Sequence, residues 1–224
     1  MDIKDQWDEL HSQKRYRSVY PQDRVVAWTF RNFKKELSSQ YKLLDLGCGA
    51  GRHAIFWASE GYSASACDFS LTGVYETEKS AEQKGLHIQT RQCEADELPY
   101  NDNEFDGILC YGVLYYLPYE RYRKAVQEIH RVLKPGGKAF IVTRTADDSR
   151  AVQAEKIDAH TYILNKLDSF APSDSESGML MTMLGLQEVS DVFGGFCDVN
   201  IDRCTMTSHN GKFVDDDWYV YVVK

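Results

Sequence analysis

The sequence lacks the features that define several classes of protein. It has no run of about 20 apolar residues and no cationic start followed by an apolar segment, so we expect neither a membrane span nor a secretory signal. Its six cysteines form no C-x-x-C pair, and we interpret them as buried free thiols rather than metal ligands or disulfides. Its net charge is −8, whereas nucleic-acid surfaces are rich in Lys and Arg. We therefore expect a cytoplasmic protein that binds no nucleic acid, membrane or metal ion.

The patterning predicts one α/β domain. The chain has 224 residues, 43% of them hydrophobic, which is enough for one sizeable core. Apolar strand-like runs alternate with segments of helical periodicity, and that alternation favours a parallel sheet. Near the end, Asn210-Gly211 lies between two further strand-like runs and indicates an antiparallel hairpin. The predicted strands cover residues 43–46, 62–67, 87–93, 105–110, 138–143, 199–207 and 218–223.

Residues 43–52, LLDLGCGAGR, predict a strand, a tight turn and the start of a helix. Glycine permits positive φ and leaves bare peptide groups for a ligand, while a helix N-terminus offers unpaired N–H donors. Two cofactor classes fit this pattern. Residues 49–54, GAGRHA, also satisfy the G-x-G-x-x-G/A dinucleotide fingerprint, with Asp68 at a suitable distance for a ribose-binding acid.

Two later segments help to decide which class of cofactor the glycine segment binds. Residues 94–108 read EADELPYNDNEFDGI and residues 131–137 read RVLKPGG. Together with the glycine segment, and in this order, they resemble the motifs of class I S-adenosylmethionine-dependent methyltransferases of the small-molecule type. The resemblance covers roughly residues 40–224.

The resemblance implies a Rossmann-like fold, with a mostly parallel seven-stranded sheet, a C-terminal antiparallel hairpin and helices on both faces. It also implies S-adenosyl-L-methionine as cofactor, with Asp68 binding the ribose and Glu94 reading the adenine amine. Two alternatives remain open: Asp68 could instead cap the following helix, and Asp96 could replace Glu94. The implied cofactor-binding residues are Asp45, Gly47, Cys48, Gly49, Asp68, Phe69, Glu94, Ala95 and Tyr111.

The remaining segments are expected to serve the methyl acceptor. Residues 1–39 are predicted to form an N-terminal helical cover and 40–144 the cofactor-binding half. Residues 145–178 form a long irregular insertion, which is typical of lids and binding segments, and 179–224 hold a helix and the hairpin. The candidate acceptor-binding residues are Tyr16, Tyr20, Tyr115, Arg144 and His160, of which His160 is also the candidate general base.

The sequence supports three functional hypotheses. The first is methyl transfer from S-adenosylmethionine to an oxygen or nitrogen of a small metabolite or sugar-containing compound. The second is an NAD(P)-binding oxidoreductase that uses the same glycines, and the third is a non-catalytic protein that binds S-adenosylmethionine. The acceptor and the oligomeric state stay open at this stage.

Overall fold

A computed structural model describes residues 3–165 and 176–224, without the side chain of Tyr16. Its sheet contains seven strands in the order β3-β2-β1-β4-β5-β10-β9, and β6, β7 and β8 form a separate three-stranded sheet. The strands are β1 (Lys42–Leu46), β2 (Ser63–Asp68), β3 (Gln89–Gln92), β4 (Phe105–Tyr111), β5 (Leu133–Arg144), β6 (Glu155–Lys156), β7 (Thr161–Ile163), β8 (Leu180–Thr182), β9 (Asp198–Ser208) and β10 (Phe213–Val223).

Helices pack on both faces of the large sheet. Helix α5 shows why: its buried residues, from Tyr122 to Val132, recur at the three- and four-residue spacing that forms one apolar stripe. That stripe and α7 share one core cluster with the sheet, whereas α2 and α3 share the cluster on the other face. The α-helices are α1 (Ile3–Ser12), α2 (Asp23–Asn32), α3 (Arg52–Ser59), α4 (Leu71–Gln83), α5 (Tyr119–Val132), α6 (Ser149–Gln153) and α7 (Leu186–Phe193).

The strand directions create one crevice suited to a ligand. Strands β1 to β5 pair in parallel, and β10 pairs antiparallel with both β5 and β9. Chain order reverses between β1 and β4, which lie side by side at the centre of the sheet. In open α/β sheets, ligands bind beyond the carboxyl ends of strands at such a reversal. The predicted α/β architecture is confirmed.

The C-terminal hairpin turns at residues 209–212. His209, Asn210 and Gly211 have φ values of +53°, +58° and +79°, a left-handed region that Asn and Gly adopt more readily than other residues. The Asn-Gly signal therefore marks the turn, although the loop is longer than two residues.

Two expectations need correction. The segment 145–178 is not irregular throughout, because α6, β6 and β7 lie within it and β7 pairs with β8 just beyond it. The cysteines are free, but they are not all buried: Cys197 is exposed, and Cys93 and Cys204 are half-buried. These three lie in or beside strands near the sheet edges, where packing covers only one side.

Candidate functional site

The loop after β1 forms the floor of the site. Its backbone is tied to β2, since the N–H groups of Gly47 and Cys48 donate to the carbonyl of Cys67 over 2.8 and 3.0 Å. Gly47 has a φ of +74°, and a Cβ added there would lie 2.1 Å from Cγ2 of Val113. Gly49 also has a positive φ, +52°. The loop conformation and its close contacts therefore require glycine, as the sequence predicts.

Asp68 ends β2 beside this loop. Its Oδ2 accepts the Gly49 N–H over 2.8 Å, and its Oδ1 accepts the Ser70 N–H over 2.9 Å. Ser70, not Asp68, is the N-cap of α4, since its hydroxyl accepts the Gly73 N–H. Burial raises the pKa of Asp68, although nearby His11 and the two backbone donors oppose the rise. Each carboxylate oxygen keeps acceptor capacity for a ligand hydroxyl.

A cavity of about 570 Å³ opens over the loop and the strand ends. Its size lies within the usual range of small-molecule sites, about 300–1,000 Å³. Of the predicted cofactor residues, it is lined by Gly47, Gly49, Asp68, Phe69, Glu94 and Ala95. The rest of the lining comes chiefly from α1, from the segment after β4 and from the 145–178 insertion with its continuation into β8: Ile3, Lys4, Gln6, Trp7, His11, Gly112, Val113, Tyr116, Leu117, Pro118, Ile163, Gly178, Met179 and Leu180.

Arg121 contacts both candidate acids after β3, Glu94 and Asp96, but not equally. Its Nε and Nη2 donate to the two oxygens of Asp96 over 2.9 and 2.5 Å, while Nη2 also reaches Oε2 of Glu94 over 3.1 Å. The hydrogen bond from Arg121 lowers the pKa of Asp96 and keeps it ionised. Glu94 lines the cavity and Asp96 does not. This placement favours Glu94 as the acid that faces a ligand.

Three predicted cofactor residues lie outside the cavity lining. Asp45 is buried beneath the loop, where its Oδ2 accepts the Ala54 N–H of α3 over 3.1 Å. Cys48 is buried as well, and burial raises its pKa, which keeps it a neutral thiol. Tyr111 packs 5.6 Å from the His53 ring, between centroids, on the α3 side of the sheet. Asp45 and Cys48 therefore support the loop from below, and Tyr111 does not face the cavity.

Helix α1 covers the cavity from the N-terminal side. It is attached to the β2–α4 connection, since Asp8 accepts from the Ser70 hydroxyl and from the Thr72 N–H. The ring of Trp7 lies 4.9 Å from that of Tyr116, edge to face, and both residues line the cavity. Gln6 donates to the carbonyl of Ser177 over 3.2 Å. The N-terminal helix and the insertion therefore meet above the same cavity.

Beyond β4 and β5 lies a cluster of charged side chains, which we call the Arg144 ion cluster. Arg144 is 6% exposed, and its Nη1 lies 3.0, 3.5 and 3.3 Å from carboxylate oxygens of Asp148, Asp215 and Asp217. These carboxylates neutralise its charge, so the structure does not support direct pairing of Arg144 with an anionic acceptor. The cluster consists of Arg144, Asp148, Arg150, Glu176, Asp215 and Asp217.

Two tyrosines connect this cluster to the cavity. Tyr115 is buried, does not line the cavity, and lies under Arg144, with 5.1 Å between the guanidinium carbon and the ring centroid. Tyr116 does line the cavity, and its hydroxyl donates to Glu176, which also accepts from Nε of Arg150 over 3.0 Å. Tyr115 is thus a support behind Tyr116 rather than a contact for a ligand.

His160 and Tyr20, two further acceptor candidates, do not line the cavity. His160 stacks on Tyr119, with 4.2 Å between ring centroids, and neither residue lines the cavity. Tyr20 is 83% exposed. The side chain of Tyr16 lies outside the described residues. The structure therefore gives His160 no position from which to act as base on a ligand in the cavity.

Sequence reasoning did not predict most of the cavity lining outside the cofactor motifs, including Trp7, His11, Tyr116 and Arg121. The helical spacing of Ile3, Trp7 and Leu10 was a usable signal for a face that packs on something. Nothing in the local sequence showed what α1 covers, because its contacts are with residues more than 50 positions away.

Two kinds of feature are absent from the described residues. No group of three or more His, Cys, Asp or Glu side chains in residues 3–165 and 176–224 is arranged to hold a metal ion. Within the same ranges, no helix combines the length and the apolar character needed to cross a bilayer.

Known proteins share both the sequence motifs and the fold. Residues 43–137 match the family model for the methyltransferase domain. The uncharacterized methyltransferase YcgJ of Bacillus subtilis is 29% identical over 133 residues, which are 59% of this chain and 50% of that protein. The chain therefore matches only about half the length of this curated relative.

Two solved structures are similar in fold. A SAM-dependent methyltransferase from Methanosarcina mazei superimposes with a TM-score of 0.66 at 21% identity, over 82% of this chain and 92% of that one. The 1,6-didemethyltoxoflavin-N1-methyltransferase of Burkholderia thailandensis, solved with S-adenosylhomocysteine and 1,6-didemethyltoxoflavin bound, gives 0.58 at 16% identity, over 100% of this chain and 91% of that one.

These findings define the class of protein. Residues 43–137 are a methyltransferase domain, and the chain has the Rossmann-like fold of class I S-adenosylmethionine-dependent methyltransferases. The fold predicted from the sequence is confirmed, and the predicted resemblance to methyltransferases is confirmed over residues 43–137. Proteins that share this fold include SAM-dependent methyltransferases, one of them solved with S-adenosylhomocysteine bound.

Proposed function

We propose that this chain transfers the methyl group of S-adenosylmethionine to an oxygen or nitrogen atom of a small molecule. The observation that carries the proposal is the cavity of about 570 Å³, which combines a glycine floor, Asp68 and Glu94 with a cover of α1 and the insertion. Gly47 and Gly49 offer bare backbone, Asp68 offers acceptors for a ribose, and Glu94 with the Ala95 N–H suits an adenine edge. These residues fit the cofactor.

The enclosure of the cavity supports a small acceptor. Trp7 and Tyr116 line it and pack against each other, and Gln6 donates a hydrogen bond to the insertion at Ser177. A folded macromolecule could not pass this cover without displacing it, whereas a metabolite could be held beneath it. The N1-methyltransferase of Burkholderia thailandensis, which acts on a small heterocycle, has a similar fold. The net charge of −8 adds a reason against a nucleic-acid acceptor.

In the proposed reaction, the protein has a positioning role. The cofactor supplies an activated methyl group for in-line displacement, and the chain holds the two reactants in line and excludes water. The glycine loop and Asp68 fix the cofactor, and Trp7, Tyr116 and Met179 cover the side from which an acceptor approaches. A neutral amine needs no further help, whereas a hydroxyl needs a base to take its proton.

Two alternative functions remain to be separated by experiment. An NAD(P)-dependent oxidoreductase would use the same glycines, but the antiparallel β9–β10 hairpin extends the sheet beyond a plain dinucleotide-binding fold. A non-catalytic S-adenosylmethionine-binding protein would keep the cavity without turnover.

The test has two steps. In the first, calorimetry measures binding of S-adenosylhomocysteine and NAD, with a Gly47→Ala variant as the control for a blocked floor. We expect binding of S-adenosylhomocysteine alone, and only by the parent protein. Binding of NAD alone would favour the oxidoreductase.

In the second step, the protein is incubated with methyl-labelled S-adenosylmethionine and either a small-metabolite extract or the matching RNA and protein fractions. We expect label in the metabolite fraction, lost with Gly47→Ala, and mass spectrometry then locates the methyl group on oxygen or nitrogen. Label confined to RNA or protein would contradict the small acceptor, and binding without label in any fraction would favour the non-catalytic alternative.

A further inference from the structure

His11 occupies an unusual position for a residue of a covering helix. It lies in the last turn of α1, is 8% exposed, and lines the cavity beside Gly49 and Asp68. Its ring stands over the glycine floor, because a Cβ added to Gly49 would lie 3.3 Å from Nε2. A Cβ added to Gly73 of α4 would lie 2.9 Å from Nδ1. Two glycines thus make room for one imidazole.

The hydrogen bonds around Ser70 determine which ring nitrogen of His11 carries the proton. The Ser70 hydroxyl has one proton, which it donates to Asp8, and it accepts the Gly73 N–H over 3.0 Å. Burial raises the pKa of Asp8, but the bonds from Ser70 and Thr72 outweigh this and lower it, so Asp8 is an ionised acceptor. The 3.1 Å contact between Nδ1 of His11 and Ser70 Oγ must therefore be donated by Nδ1.

It follows that Nε2 of neutral His11 carries a lone pair next to Asp68. Burial lowers the pKa of His11, against the opposing effects of Asp68 and Asp8, and Arg17 lowers it further. Arg17 itself is paired with Glu76 of α4. The ring is therefore neutral near pH 7, and Nε2 is an acceptor without a proton of its own.

We propose that Nε2 of His11 is a second acceptor, beside Asp68, for the ribose hydroxyls of the bound cofactor, so that α1 completes the ribose site. A ribose presents two neighbouring O–H donors, and Asp68 already accepts two backbone N–H groups. Two acceptors from different segments satisfy the diol better than one carboxylate that is partly used. The proposal rests on the cofactor assignment and is independent of the acceptor.

The consequence is that the cofactor site exists in full only when α1 is in place. Asp8 and His11 of α1 both form hydrogen bonds with Ser70, which lies two residues after Asp68. His11 is thus a positioning residue for the cofactor and not a catalytic residue.

A cycle of protein variants and ligand analogues tests this. Calorimetry at pH 7.5 measures S-adenosylhomocysteine and its 2′-deoxy and 3′-deoxy analogues against the parent protein, His11→Phe and His11→Gln. His87→Phe is the matched control, because His87 is exposed between α4 and β3. Melting temperatures of the unliganded variants check folding.

We expect His11→Phe to bind S-adenosylhomocysteine about tenfold more weakly than the parent, as for loss of one hydrogen bond. It should show no such loss toward the analogue that lacks the hydroxyl bound by His11. His11→Gln, whose amide oxygen can accept, should regain part of the affinity, and His87→Phe should match the parent.

An equal loss for all three ligands would overturn the proposal and assign His11 to packing alone, as would unchanged affinity in both His11 variants. If the parent protein bound none of the three ligands, the cofactor assignment itself would fail, which is a separate result. If His11→Phe failed to fold, the same comparison would be made with His11→Leu, which also lacks an acceptor, and coupling to neither hydroxyl would reject the proposal.

Discussion

The two sides of the cavity are built from different chemistry. One side is formed by the ends of β1 and β2 and by the loop after β3. It consists of bare backbone and a few short hydrogen bonds, such as those from the two N–H groups that Asp68 accepts over 2.8 and 2.9 Å. The side beyond β4, β5 and β10 uses the Arg144 ion cluster, in which two arginines share four carboxylates from three segments of the chain. The first side is built from short sequence motifs that resemble those of methyltransferases, whereas the second is assembled from residues that are distant in the sequence.

The two sides have different roles, ligand binding and stabilisation of the fold. The cofactor side holds a ligand of fixed structure, so glycine and one acid at each strand end suffice. The other side stabilises α6, the insertion and β10 against each other, and in the described part of the chain it reaches the cavity through Tyr116. We therefore expect substitutions on the cofactor side to change binding, and substitutions in the ion cluster to change stability first.

The largest expected effect is that of Gly47→Ala. The new Cβ would lie 2.1 Å from Cγ2 of Val113 at a φ of +74°, so the loop or the Val113 side chain must move and the backbone is strained. We expect at least a hundredfold loss of S-adenosylhomocysteine affinity, equivalent to about 2.7 kcal/mol or more, measured by calorimetry. Gly85→Ala is the matched control, because Gly85 also has a positive φ, +64°, but no atom within 4 Å of the added Cβ. It should lower stability slightly and leave binding unchanged; equal effects of the two variants would contradict the floor assignment.

The next effect is that of Asp68. The sequence alone predicts that Asp68→Ala weakens binding without affecting the fold, but its two bonds to backbone N–H groups show that this variant also leaves buried donors unpaired. Asp68→Asn keeps one acceptor and is the better variant. We expect it to bind S-adenosylhomocysteine more weakly by about 1.5–3 kcal/mol, as for a hydrogen bond to a charged group, with a smaller fall in melting temperature than Asp68→Ala. Parent-like affinity in Asp68→Asn would return Asp68 to a purely structural role.

For the ion cluster, the expected effect is on stability and depends on pH. Burial raises the pKa of Asp217 to about 6, and Asp148 and Asp215 add to the rise against the opposing charge of Arg144. Because the folded state then binds a proton more tightly than the unfolded state, the contribution of Asp217 to stability is full below about pH 4 and is lost as the pH rises through 6.

The measurement is urea unfolding of the parent and Asp217→Asn from pH 4 to pH 7.5. We expect the stability of the parent relative to the variant to fall by up to about 3 kcal/mol across this range. Asp202→Asn, on the exposed face of β9, is the control for loss of a surface carboxylate. A constant difference between the parent and Asp217→Asn would show that Asp217 does not titrate in this interval.

The smallest effect is expected for His160. Its ring stacks on Tyr119 and does not line the cavity, so His160→Ala should change methyl transfer by less than about twofold once an acceptor is known. The control is Tyr116→Phe, which keeps the ring at the cavity but removes the hydroxyl bonded to Glu176. A loss of a hundredfold or more in turnover for His160→Ala alone would restore it as the base.

Much of the fold could be predicted from the sequence because its signals are local. The apolar runs of β1, β2, β4 and β5, the glycines after β1 and Asn210-Gly211 each act within a few residues. The placement of α1 could not be predicted in this way, because its bonds join Asp8 and His11 to Ser70 and Thr72. For the same reason, the sequence indicated Arg144 as a candidate acceptor-binding residue, although three carboxylates surround it.

The sequence by itself determined the resemblance to class I methyltransferases and the chain order of the seven strands of the large sheet. It also determined the residues of the glycine floor, since backbone conformation at positive φ depends on the residue itself. Only the tertiary structure decided that Glu94 faces the cavity while Arg121 engages Asp96, that Asp45 and Cys48 lie beneath the floor, and that His11 stands above it. These outcomes depend on which side chains meet across long stretches of chain, where burial and competing hydrogen-bond partners fix the role of each charged or polar group.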